Sequence, residues 1–165
     1  MRIKSMVKRI TDKYHTNDPL LIASHKQILI FYEDFKNVWG YFNSSRRVMM
    51  IHVNSNLSEE LQRFVIAHEL GHRIMHPNVN VPFLRSNTLH SIERIEREAN
   101  QFAVELLVED QLLLDGLTIY EAAAVCGVPV ELAYLKRFRG NRTTIHKSNL
   151  RFPAARLSII HINRT

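Results

Sequence analysis

The sequence has few features that would brace the chain or anchor it to a membrane. Only one of its 165 residues is a cysteine, Cys126, so no internal disulfide can form and a disulfide-built secreted scaffold is excluded. No apolar run approaches the roughly 18–20 residues that a membrane helix needs. Basic residues near the start are not followed by an apolar stretch, which argues against a signal peptide. We therefore expect a cytoplasmic protein with an ordinary hydrophobic core and no membrane partner.

Acidic residues are absent from the end of the chain. Residues 136–165 hold 8 of the 22 lysines and arginines and none of the 16 acidic residues, whereas residues 1–135 are nearly neutral. A basic segment can dock on phosphate or on an acidic protein, although a solvated terminus is the commoner case. We expect one domain over residues 1–140 and a basic C-terminal tail over 141–165, which its composition permits to be disordered.

Three short runs rich in β-branched and aromatic residues precede the main helical part of the chain. They cover residues 28–32, 38–42 and 48–53 and are separated by segments of turn composition. Helical patterns occupy the rest of the domain, over residues 4–15, 18–25, 58–76 (ended by Pro77), 91–108, 118–125 and 129–138. The sequence predicts an α+β fold in which a three-stranded antiparallel sheet packs against the helices. Residues 77–91 form a long predicted loop, either a substrate-gripping flap or a plain connector.

The strongest chemical signal is an H-E-x-x-H motif, His68-Glu69-Leu70-Gly71-His72, within the helix that Ser58 is expected to begin. Helical spacing of four residues places the two imidazoles on one face, about 40° apart, where both can bind one metal ion. Glu69 points about 100° away from His68, so it can hold a water molecule without being a ligand. Both histidines continue the apolar stripe of the helix, and Gly71 permits another element to approach closely. Core histidines satisfied by hydrogen bonds are the simpler alternative.

A catalytic zinc site usually has three protein ligands, so a third residue is needed. The following helix offers the candidates Glu93, Glu96, Glu98 and Glu105. Helical phase does not choose among them, because Glu96 and Glu98 flank the apolar stripe on opposite sides. Cys126 is a further soft ligand type, but it stands alone in the sequence.

Two longer runs, from Gln62 to His72 and from Glu96 to Leu107, resemble the ImmA/IrrE family of zinc metallopeptidases. Shorter similarities lie at Asp18-Pro19, Gly40-Tyr41-Phe42 and Phe83-Leu84-Arg85, so the resemblance covers about residues 5–135. It implies a gluzincin-like H-E-x-x-H helix beside a second ligand-bearing helix. It also implies one Zn²⁺ per chain, bound by His68, His72 and Glu98, the glutamate directly before Ala-Asn.

The resemblance further implies metal-assisted peptide hydrolysis with Glu69 as the general base. A second donor should stabilise the developing oxyanion, and four residues are open candidates: His76, Arg85, His90 and Tyr120. Family members from phages and mobile elements act as anti-repressors that cleave a helix-turn-helix repressor. A regulatory endopeptidase with that class of partner is therefore expected.

A binding module without peptidase activity is the alternative function. Residues 118–138 have the helix, glycine-containing turn and helix texture of a DNA reader, and basic residues follow them. The predicted second helix begins Val130-Glu131-Leu132, which offers few side chains suited to base edges. We do not expect direct contact with nucleic acid, for which this helix pair and the basic tail would be the candidates.

Overall fold

The computed structural model describes residues 3–77 and 89–138, with the backbone alone described for residues 89–91. The predicted tail, and all but the ends of the predicted 77–91 loop, therefore lie outside the described residues. The described elements begin with two helices and three strands: α1 Ile3–Tyr14, α2 Pro19–His25, β1 Ile28–Glu33, β2 Gly40–Ser45 and β3 Val48–Asn54. They continue with α3 Glu59–Met75, α4 Leu89–Leu107, α5 Asp110–Leu114, α6 Ile119–Val125 and a 3₁₀ helix, Val130–Leu135.

The expected α+β fold is confirmed, but the sheet is mixed and the prediction of a purely antiparallel sheet was wrong. The strand order is β1-β3-β2, with β3 antiparallel to β2 and parallel to β1. The reason is that β2 and β3 form a hairpin through Arg46 and Arg47, so β1 pairs with the opposite edge of β3 rather than with its sequence neighbour β2. Strand β3 is thus central, and its Ile51 and Val53 are fully buried.

Helix α3 begins where the sequence predicts, and its first turn is capped. The Ser58 side chain accepts a hydrogen bond from the Leu61 amide, and Glu59 and Glu60 add negative charge to the positive end of the helix dipole. The helix then runs along the inner face of the sheet. A Cβ atom built on Gly40 of β2 would lie 2.5 Å from Val65 Cγ1, so this strand and helix are in direct contact.

Helix α4 packs against α3 at a glycine. A Cβ atom built on Gly71 would lie 3.1 Å from Phe102 Cβ and 3.2 Å from Ala99 Cα, tighter than ordinary van der Waals contact. The prediction that Gly71 permits a close approach is therefore confirmed. Phe102 and Ala99 are themselves fully buried, which places the α3–α4 contact inside the hydrophobic core.

A buried ammonium group fastens the end of the described chain to α4. Lys136 Nζ lies 3.2 Å from Glu105 Oε2 and 2.8 Å from Asp110 Oδ1, and it also donates to the Val108 carbonyl. Burial opposes ionisation of Asp110, but Lys136 and Lys4 together hold the pKa of its carboxyl below the usual value. Because Lys136 and Glu105 are both buried, each is the counter-charge that makes burial of the other tolerable.

The last predicted helix, over residues 129–138, is instead a short 3₁₀ helix. It is preceded by Gly127, whose φ of +67° is a conformation that L side chains rarely adopt. A Cβ atom there would also lie 2.2 Å from Glu60 Cβ of α3. Among the helices that the structure describes, none has the length and apolar composition required to cross a bilayer.

We predict that Gly127→Ala lowers the free energy of unfolding by about 2–4 kcal/mol, because backbone strain and overpacking against Glu60 add. Gly116→Ala is the matched control, since Gly116 also has a positive φ of +100° but nothing within 4 Å of an added Cβ. The control should lose about 1–2 kcal/mol, from backbone strain alone. Urea unfolding followed by circular dichroism measures both variants, and equal losses would contradict the packing argument.

Candidate metal centre

The two histidines of the H-E-x-x-H motif meet at one point in the core. His68 is fully buried and His72 is 6% exposed, both near the middle of α3. Their Nε2 atoms lie 2.9 Å apart. Two lone pairs at this distance repel unless a proton or a cation lies between them. The predicted convergence of the two imidazoles is therefore present, and their donor atoms face one position.

Glu96 of α4 completes the cluster from the opposite helix. Its Oε2 lies 3.4 Å from His68 Nε2, and its Oε1 lies 3.5 Å from His72 Nε2. One ligand atom from each of the three residues lies within 4.8 Å of the others. Two nitrogens and a carboxylate oxygen thus converge from two packed helices.

The structure does not bring Glu98 to the histidines, and the expectation that it would be the third ligand needs correction. Side chains two residues apart leave a helix about 160° apart, so Glu96 and Glu98 do not reach the same point on α3. Glu98 Oε2 instead lies 3.1 Å from His76 Nε2, and Glu98 Oε1 accepts a hydrogen bond from Arg94 Nε at 2.9 Å. Glu98 therefore links α4 to His76, the residue that caps the end of α3.

The protonation states in the cluster suit a cation. Asn100 Oδ1 lies 2.8 Å from His68 Nδ1, and because an amide oxygen only accepts, Nδ1 carries the proton. An imidazole whose one proton is on Nδ1 has its lone pair on Nε2, and the Nε2 atom of His68 faces His72 and Glu96. A histidine metal ligand is usually oriented in this way by a hydrogen bond to its other nitrogen.

Electrostatics favour the same states for the other two residues. Burial lowers the pKa of His72, so its imidazole is neutral at pH 7. Burial opposes ionisation of Glu96, but the adjacent His68 and His72 side chains outweigh it and hold the pKa of the carboxyl below its usual value. A neutral imidazole and a carboxylate are the forms that bind metal ions.

This donor set fits zinc. Zinc takes histidine nitrogen and carboxylate oxygen at about 2.0–2.2 Å, and two such ligands at tetrahedral angles lie roughly 3.3–3.5 Å apart. The two Nε2 atoms lie 2.9 Å apart, and the Glu96 oxygens lie 3.4 Å and 3.5 Å from them, which is close to that value. Two histidines with one glutamate are also a known ligand set of catalytic zinc sites.

The remaining candidates are placed less directly. Glu69 is fully buried next to His68 on α3, whereas Tyr120 of α6 is 37% exposed. His76 is paired with Glu98, and Cys126 caps the end of α6. Burial raises the pKa of the Cys126 thiol, which disfavours the thiolate that a metal would bind. Arg85 and the side chain of His90 lie outside the described residues.

Sequence reasoning left Glu96 as one of four open candidates and did not single out Asn100 as a partner of His68. The two are four residues apart, so they share one face of α4, and that face also carries Ala99, the contact of Gly71. The spacing of Glu96 and Asn100 was a usable signal, but only together with knowledge of which face packs on α3.

Comparison with known proteins identifies the family. Residues 23–136 match the model of the IrrE N-terminal-like domain, a peptidase family. The chain belongs to this family. It is 40% identical over 139 residues to "Uncharacterized immunity region protein 2" of Bacillus phage phi105, covering 81% of this chain and 88% of the relative. It is 30% identical over 135 residues to "Metallopeptidase ImmA" of Bacillus subtilis (strain 168), covering 77% and 79%. The suspected resemblance to the ImmA/IrrE family is thus confirmed.

For this member of the IrrE-like family, we predict that Glu96→Ala weakens zinc binding by more than about 100-fold. The loss should exceed the 10–100-fold that removal of a residue supporting a ligand costs. Glu98→Ala is the matched control, being the same change two residues along the same helix, and it should bind zinc as the wild type does. Chelator competition measures both affinities. Loss of zinc in Glu98→Ala with retention in Glu96→Ala would reverse the assignment.

We predict that Asn100→Leu weakens zinc binding by about 10–100-fold, because His68 loses the acceptor that keeps its proton on Nδ1. Asn100→Asp keeps an acceptor at the same position and should bind zinc within a few-fold of the wild type. Chelator competition with nitrogen NMR of the His68 ring measures affinity and tautomer together. An Asn100→Leu protein with unchanged tautomer and affinity would refute this role.

Proposed function

We propose that this protein is a zinc-dependent endopeptidase that relieves repression by cleaving a helix-turn-helix repressor. One observation carries the chemical part of the proposal, namely the convergence of the buried His68 and His72 with the partly exposed Glu96, beside the buried Glu69. Membership of a peptidase family supports the reaction class. The proposed ligands are His68 Nε2, His72 Nε2 and a carboxylate oxygen of Glu96.

In the proposed mechanism the zinc ion supplies Lewis acidity, and the side chains transfer the proton and orient the ligands. Zinc, when bound, supplies polarisation of the scissile carbonyl and a lowered pKa for water. Glu69 accepts a proton from the attacking water and passes it to the nitrogen of the departing amine. Asn100 keeps His68 in the tautomer that presents Nε2, and Glu96 brings one negative charge to the cluster. The low-dielectric surroundings of the buried side chains strengthen each of these interactions.

The proposed substrate follows from the relatives. One carries the words "immunity region" in its name and another the word "metallopeptidase". A peptidase acting on an immunity repressor accounts for both. Such a repressor works in the cytoplasm of a bacterial cell, which is therefore the proposed site of action.

The alternative of a DNA-reading helix pair has less support. The second member of the pair is a 3₁₀ helix of 6 residues, shorter than a recognition helix. Its Leu132, Ala133 and Leu135 are buried, so Glu131 and Tyr134 are the side chains that it exposes. An acidic residue at the exposed face repels phosphate. We assign residues 118–138 to the peptidase domain on this basis.

We predict that Glu69→Gln lowers the rate of repressor cleavage by about 10²–10⁴-fold while zinc content stays at one per chain, because the general base is lost and the ligands are kept. Purified protein is incubated with the helix-turn-helix repressor encoded in the same genome, and fragments are followed by mass spectrometry.

Glu60→Gln is the control, since it neutralises an exposed glutamate on the same helix and should cleave at the wild-type rate. Cleavage by Glu69→Gln at the wild-type rate would overturn the hydrolytic mechanism. An intact repressor that both proteins merely bind would favour the non-proteolytic alternative.

A further inference from the structure

The turn between β2 and β3 has a sequence that does not suit its backbone. Ser45 pairs with Val48, so the turn has two central residues, Arg46 and Arg47, with φ values of +48° and +70°. Two-residue hairpins with both φ values positive favour Asn-Gly, because other side chains are strained there. Two consecutive arginines therefore carry a conformational cost that Asn-Gly would not.

No ion pair within the described chain offsets the backbone strain at these two arginines. Both are exposed, and neither makes an ion pair or side-chain hydrogen bond with another residue in the ranges that the structure describes. Arginine carries a planar fork of donors that matches carboxylates in a bidentate manner. The strained turn thus presents two guanidinium groups that could bind carboxylates and that no described residue pairs with.

The turn lies at the end of the sheet that adjoins the metal centre. Helix α3 runs opposite in direction to β3, with Val65 against the Gly40 end of the hairpin and Arg73 Nε 3.2 Å from Met49 Sδ near the turn. His72 directly precedes Arg73 in α3. The arginine turn therefore lies toward the end of α3 that carries His72, rather than toward the end that carries Val65.

Basic and acidic side chains collect at opposite ends of the sheet and of α3. The turn end of the sheet carries Arg46, Arg47 and Arg73, with Lys26 two residues before β1 at that end. The opposite end carries the acidic group Glu33, Asp34, Glu59 and Glu60. Lys36 and Arg63 also lie toward the acidic end, so four acidic residues face two basic ones there, whereas the four residues named at the turn end are all basic.

We propose that Arg46, Arg47 and Arg73, here called the arginine rim, bind an acidic segment of the protein substrate and hold it next to the scissile bond. This inference rests on the proposed function and adds a substrate preference to it. A protein rather than a nucleic acid is favoured, because the rim adjoins a candidate peptidase site and is not joined to the 118–138 helix pair.

The test uses a turn that keeps its shape but loses its charge. Arg46→Asn with Arg47→Gly supplies the preferred turn sequence, so the melting temperature should rise by about 3 °C or more. Affinity for a fluorescein-labelled peptide of six Ala-Glu repeats should fall about fivefold at low salt, the sum of two exposed ion pairs. Fluorescence anisotropy is measured in the Glu69→Gln background, so that the probe is not cleaved.

Three matched proteins complete the experiment. Arg46→Lys with Arg47→Lys keeps the charge and should bind the probe within about twofold of the parent. Lys8→Gln with Lys36→Gln removes two exposed charges outside the rim and the candidate metal centre and should leave the affinity unchanged. Gly116→Ala controls for a change in stability alone.

Unchanged peptide affinity in the Asn-Gly variant would overturn the proposal, as would equal losses in it and in the Lys8 and Lys36 variant. A loss confined to binding of a 20-base-pair DNA duplex would also overturn it, by identifying nucleic acid as the partner. Because binding is measured without hydrolysis, failure of the proposed function appears separately, as an uncleaved repressor with peptide binding intact.

Discussion

The close contact of α3 with α4 at Gly71 is the constraint on which the metal centre depends. A Cβ atom at position 71 would lie 3.1 Å from Phe102 Cβ and 3.2 Å from Ala99 Cα, so even an alanine would require these neighbours to move apart slightly. Ala99 shares its helix face with Glu96 and Asn100, so the same contact carries both polar side chains to the histidines. A larger residue at position 71 would separate the helices and take Glu96 away from His68 and His72.

The cost of this arrangement is a set of ionisable and polar groups inside the core. His68 and Glu69 are fully buried beside Phe64 and Leu70. Burial of a polar group without a partner is strongly unfavourable, and the hydrogen bond from His68 to Asn100 and the contacts of Glu96 offset part of that cost. A cation bound by the three side chains would offset more, which couples metal binding to stability.

Much of the fold and half of the site could be predicted from the sequence, because local periodicity determines them. The H-E-x-x-H spacing predicts two imidazoles on one helix face, and Gly71 predicts a close neighbour; both predictions agree with the structure. Strand order could not be predicted in the same way. The hairpin turn of β2 and β3 is Arg46-Arg47, which lacks the Asn-Gly signal of such turns.

The candidate third ligand could not be chosen from local sequence pattern. Glu96 and Glu98 both flank the apolar stripe of α4, and periodicity alone does not say which flank faces the histidines. That choice depends on a long-range contact, Ala99 against Gly71, which no property of α4 by itself contains. Glu98 is nearer to Asn100 in sequence, but Glu96, four residues before Asn100, is the one whose side chain lies beside His68 and His72.

The proposed set of zinc ligands is tested most directly by a crystal structure of the zinc-loaded protein with anomalous data collected at the zinc absorption edge. We predict one strong anomalous peak per chain, bonded at about 2.0–2.2 Å to His68 Nε2, His72 Nε2 and a carboxylate oxygen of Glu96. Glu98 should remain with His76. A zinc ion held by Glu98, or no peak near the two histidines, would contradict it.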